Sequence, residues 1–96
     1  MSLEELTSKY INSAEKVLGE IQQTNSFLNI SKQDVSKVLR WAYDYLEDAK
    51  YYKTQGKLET SLTSVAYCEG LLDALRLLGA VKFEWPTNQK PEKKPS

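Results

Sequence analysis

The sequence predicts an all-α fold, an antiparallel three-helix bundle of up-down-up topology with a short extended C-terminal tail. Three observations carry this expectation. Apolar residues recur at steps of three and four over three separate stretches, which is the spacing of one helical face. Ser2/Glu5 and Ser31/Asp34 stand at the start of the first two stretches with capping-box spacing. Gly56 and Gly79 stand at the end of the second and third, and glycine accepts the left-handed conformation that closes a helix.

The first helix is expected over residues 3–24. Leu3, Leu6, Tyr10, Ala14, Val17 and Ile21 share one face, widened by Ile11 and Leu18, and the opposite face is polar. Glu5 and Lys9 have the order and spacing of a favourable i,i+4 pair. The polar run from Gln22 to Ser26 ends the helix. Phe27, Leu28 and Ile30 follow in the loop and are expected to cap the end of the bundle.

The second helix is expected over residues 32–55. Val35, Val38, Leu39, Ala42, Tyr45, Leu46, Ala49 and Tyr52 fall in one arc, with Trp41 at its edge. A direct turn at Gly56 then makes the second and third helices an antiparallel hairpin. The third helix is expected over residues 58–78, and its apolar pattern is split. Leu58, Leu62, Val65 and Ala66 lie on one face, while Tyr67, Cys68, Leu71, Ala74, Leu75 and Leu78 lie on another. Two explanations fit: the helix curves, or it is covered on two sides and turns its Glu69, Asp73 and Arg76 stripe toward a partner or ligand. Beyond Gly79, Val81, Phe83 and Trp85 alternate with polar residues as in a short extended segment. Residues 1–85 are read as one three-helix domain. Residues 86–96, proline-rich and polar, are read as a disordered tail.

Composition removes several function classes. Lys plus Arg and Asp plus Glu each number 13, so no basic field argues for nucleic acid. Histidine is absent, which removes His-dependent nucleophiles and the usual zinc sites. One cysteine, Cys68, forms no intrachain disulfide and is expected in the core. No stretch is long and apolar enough for a transmembrane helix, and the acidic N-terminus is unlike a signal peptide.

Three motifs in order, Asp48-Ala49-x-Tyr51-Tyr52-x-x-x-Gly56, Ala66-Tyr67-Cys68-Glu69-Gly70-Leu71-Leu72-Asp73-Ala74-Leu75-Arg76-x-Leu78-Gly79 and Phe83-x-Trp85, bear on the family. On these residues the chain resembles the small archaeal family called domain of unknown function 357, over about residues 5–85. The resemblance implies a cytoplasmic three-helix domain, stand-alone or joined to a nucleotidyltransferase-like domain in some relatives. It brings no catalytic residues. A looser likeness to HEPN domains and tetratricopeptide hairpins adds no activity, because HEPN ribonucleases need a histidine.

Two readings of function remain. The leading one is a non-catalytic binding or interaction module, self-associating or accessory to a nucleotide-handling enzyme, with a protein partner or a second copy as its ligand and no cofactor. Its candidate binding residues are Asp48, Tyr52, Tyr67, Glu69, Asp73 and Arg76. Tyr45, Tyr52, Tyr67 and Trp41 have the spacing of an aromatic pocket, although aromatics at helical spacing are commonly core. Gly70 in mid-helix favours close approach of a helix or ligand. The alternative is a metal-dependent nucleotide-processing protein using Asp44, Glu47, Asp48, Glu69 and Asp73, since Mg²⁺ takes oxygen ligands and bridges phosphates. The ordinary reading of the same acids is a solvated face with an ion pair to Arg76.

Overall fold

The structure is a computed structural model and describes residues 2–24 and 28–86. Among them are three helices, α1 (Leu3–Glu20), α2 (Lys32–Thr54) and α3 (Leu58–Leu77), and no strand. This is the all-α three-helix fold expected of the sequence.

Both capping boxes form. The Glu5 amide donates to Ser2 Oγ and the Ser2 amide to Glu5 Oε1, each at 3.0 Å. The Asp34 amide donates to Ser31 Oγ at 3.1 Å and the Ser31 amide to Asp34 Oδ2 at 3.3 Å. Ser2 therefore holds the Glu5 carboxylate, chiefly through its backbone N–H and then its hydroxyl, and lowers its pKa below the usual 4.5. No Glu5–Lys9 ion pair forms among the described residues.

Both glycine stops form as well. Gly56 has φ 74°, its amide bonds the Lys53 carbonyl at 3.1 Å, and the Lys57 amide bonds the Tyr52 carbonyl at 2.9 Å. Gly79 repeats the pattern with φ 80°, Gly79 to Arg76 at 3.0 Å and Ala80 to Leu75 at 2.9 Å. Each pair of bonds is a Schellman motif, which satisfies carbonyls that the helix end leaves open.

The core lies between α2 and α3. Ala42 and Ala49 of α2 and Cys68 and Leu75 of α3 are the buried hydrophobic residues. Val35, Val38, Tyr45, Leu46 and Tyr52 flank them on α2. Small side chains at the centre let the two helices approach closely. The Ser61 hydroxyl exploits this, donating to the Ala49 carbonyl oxygen across the interface at 2.6 Å. Tyr45 stacks on Tyr67 two turns further along, so rising positions on α3 meet falling positions on α2 and the hairpin is antiparallel.

The face that α3 turns to α2 differs from expectation. Leu58 and Leu62 are 62% and 68% exposed, and Ala66 is exposed too. The inward positions are Ser61, Ser64, Val65, Cys68, Leu72 and Leu75, one continuous stripe at steps of three and four. The first half of that stripe is small and polar, so a search for leucines misses it. No rotation of the buried side is needed. The second side of α3 is covered by the segment after Gly79, where Val81, Phe83 and Trp85 are half-buried and Lys82 and Glu84 exposed, the alternation of an extended strip.

Helix α1 is the other departure. It ends at Glu20 rather than at 24, because Ile21 is extended (φ −69°, ψ 141°) and nothing apolar in Gln22–Thr24 continues the stripe. No residue of α1 is buried. Leu6 is half-buried, whereas Leu3, Ile11, Val17, Leu18 and Ile21 are each more than half exposed. Leu28 and Ile30 are 75% and 42% exposed and so do not cap the bundle, and Phe27 lies outside the described residues, as do residues 87–96 of the tail.

Candidate functional site

The helices bring four tyrosines to one cleft of about 400 Å³. α2 supplies Tyr45, Asp48 and Tyr52, at steps of three and four on one side of the helix. α3 supplies Thr60, Thr63, Ser64 and Tyr67 from its facing side, and Leu6 and Tyr10 of α1 form the remaining wall, one turn apart. Tyr45 and Tyr67 stack with ring centroids 4.4 Å apart and planes 9° from parallel. Tyr45 and Tyr52 are half-buried, while Tyr10 and Tyr67 are about half exposed at 55% and 50% and form the rim. Asp48 is the one charged side chain among the described residues that line the cleft. It also lines a neighbouring hollow of about 270 Å³ with Trp41, Asp44 and Tyr45, whose Trp41 ring lies 6.5 Å from Tyr45.

Of the candidate binding residues, Asp48, Tyr52 and Tyr67 thus come together. Asp73 and Arg76 are placed elsewhere. Asp73 Oδ1 accepts a hydrogen bond from Trp85 Nε1 at 2.7 Å and another from Arg76 Nη2 at 3.3 Å. The Arg76 guanidinium lies 5.6 Å from the centre of the Phe83 ring, and Phe83 meets Trp85 edge-on at 5.0 Å. These contacts clasp the 81–86 segment onto α3. The covering partner that the split face of α3 called for is the chain's own C-terminal segment. Arg76 Nε is buried without a hydrogen-bond partner among the described residues. Glu69 is half-buried beside Cys68 and is not part of the cleft. Burial, and then the Glu69 carboxylate, push the Cys68 thiol above its ordinary pKa, so it is a poor nucleophile.

The acids of the metal-dependent reading are dispersed. Asp44 and Asp48 share the Trp41 hollow, Glu47 pairs with Lys50 at 3.0 Å on the surface, and Asp73 holds Trp85. Among the described residues no group of three acids or cysteines is placed to hold a metal ion. Gly70 also differs from expectation: a Cβ built there meets nothing within 4 Å, so no close approach within the chain requires glycine. Tyr10, Thr60 and Ser64 belong to the cleft but were not legible as such, because their contribution depends on how the helices are set against each other.

An antiparallel helical hairpin with an aromatic cleft and a loosely attached α1 defines a small all-α three-helix protein. The chain belongs to the family described as "Protein of unknown function (DUF357)", which matches residues 9–81. No curated protein and no solved structure matches it. No helix among the described residues is long and apolar enough to cross a membrane.

Proposed function

We infer that this protein is a non-catalytic interaction module that pairs with a second copy of itself through the apolar face of α1. One observation carries the reading: α1 has an amphipathic sequence but buries no residue. An isolated helix of this length is marginal in water, and helices in proteins are held mainly by burying their apolar face. Leu6 and Tyr10 engage the hairpin, which leaves Leu3, Ile11, Val17, Leu18 and Ile21 uncovered. At roughly 100 Å² for each such side chain, two copies pairing through this face bury about 1,000 Å², the area at which specific interfaces begin.

Light-scattering mass against protein concentration tests this. The expected result is a mass of twice 11.0 kDa that returns to one copy in Leu18→Glu. Leu18 is 72% exposed, so the change leaves the isolated chain folded. Leu71→Glu, beside Val38, Trp41 and Tyr67 in a hollow that no described α1 residue lines, leaves the pairing intact. A single-copy mass at every concentration up to about 1 mM, equivalent to less than about 4 kcal/mol of association, refutes self-association. Pairing broken by Leu71→Glu and not by Leu18→Glu refutes the assignment to α1.

A further inference from the structure

We propose that the tyrosine-lined cleft between the three helices binds an alkylammonium ion, a small organic amine carrying a positive charge. Tyr10, Tyr45, Tyr52 and Tyr67 line the cleft, and an aromatic ring presents a negative face to a cation. Asp48 is the charged lining residue, and no lysine or arginine among the described residues lines the cleft. The Asp48 carboxylate has no ion pair and no hydrogen bond among the described residues, so its charge is available to a ligand. Thr60, Thr63 and Ser64 complete the lining with neutral hydroxyls.

This chemistry selects among ligands. An anion meets the Asp48 carboxylate and tyrosine rings, with no compensating cation among the described residues. A hard divalent ion needs several oxygen ligands and finds one carboxylate. An alkylammonium ion finds ring faces for its apolar, charge-bearing alkyl groups and a carboxylate for its charge. The cleft's volume of about 400 Å³ lies in the range of small-molecule sites. The adjoining hollow extends the same character along α2, with Trp41 and Asp44 beside the shared Tyr45 and Asp48. A ligand with a second amine therefore meets a second carboxylate.

Self-association rests on Leu3, Ile11, Val17, Leu18 and Ile21, none of which lines the cleft. Choline and spermidine are the probes, one quaternary and one protonated, and 3,3-dimethylbutan-1-ol is the uncharged counterpart of choline. Titration calorimetry on the full chain is expected to give saturable binding of at least one cation. The uncharged alcohol binds at least about fivefold more weakly than choline, as a partly desolvated cation–π site requires. Asp48→Asn weakens the cation about fivefold while leaving the melting temperature of the free protein unchanged, because Asp48 is exposed. Tyr67→Leu at the rim weakens it similarly. The proposal is overturned if neither cation binds saturably to the folded protein, or if the alcohol binds as tightly as choline. It is equally overturned if binding persists unchanged in both variants. Light scattering on the same samples reads the self-association separately.

Discussion

Removing the Asp73 carboxylate separates a structural clasp from a ligand site. Asp73 Oδ1 accepts from Trp85 Nε1 at 2.7 Å, and the Asp73 side chain is 16% exposed. A hydrogen bond to a charged group contributes about 1.5–3 kcal/mol when its partner is left unsatisfied on deletion. The second contact, Arg76 Nη2 at 3.3 Å, involves a guanidinium side chain that is 38% exposed. Solvent screening reduces its share to a few tenths of a kcal/mol. Asp73→Ala is therefore expected to cost about 2 kcal/mol, and Asp73→Asn, which keeps an oxygen acceptor for the indole, about 1 kcal/mol. For a chain of this size a loss of 2 kcal/mol lowers the melting temperature by about 8–16 °C. The chain has two tryptophans, and Trp41 is 54% exposed. In a Trp41→Phe background, emission therefore reports on Trp85 alone. Urea unfolding followed by that emission measures the stability, and Asp73→Ala is also expected to shift the folded-state emission to the red as the 81–86 segment loosens. A variant within about 0.5 kcal/mol of its parent, with Trp85 emission unchanged, would falsify the clasp.

Four further substitutions test the local geometry. Gly70→Ala is expected to stabilise the protein by up to about 1 kcal/mol, since a mid-helix glycine is replaced where nothing lies within 4 Å of the new Cβ. Gly56→Ala in the left-handed turn is expected to destabilise it by about 1–2 kcal/mol through backbone strain alone, and equal effects at the two sites in denaturant melts refute this. Ser61→Ala removes the interhelical bond to the Ala49 carbonyl, and a loss of about 1 kcal/mol is expected. An unchanged midpoint would show that the hydroxyl is dispensable to the hairpin. The Glu5 pKa is lower in the folded chain than its usual 4.5. Its contribution to the α1 cap is therefore complete above the unfolded value and lost as pH falls through the folded value. The Glu5 carboxyl titration followed by NMR is expected to move up toward 4.5 in Ser2→Ala, and a midpoint insensitive to that change contradicts the capping box.

What the sequence alone determined about this protein is local. Ser2, Ser31, Gly56 and Gly79 act through hydrogen bonds and backbone angles within a few residues, so their patterns placed the ends of α2 and α3 to within a residue. The antiparallel hairpin followed from the single glycine between α2 and α3. Its three tyrosines of α2 and α3, with Asp48, were legible because helical spacing alone puts them on facing sides. The tertiary structure decided the rest. Ser61 and Ser64 displaced Leu58 and Leu62 from the interface, because a close helix contact rewards small side chains and one buried hydroxyl bond more than bulk. Asp73 and Arg76 went to the C-terminal clasp, since Trp85 carries an N–H that needs an acceptor once half-buried. The stripe of α1 promised burial, but burial needs a facing surface. The hairpin offers one only to Leu6 and Tyr10, and periodicity within a helix carries no information about the surface opposite it.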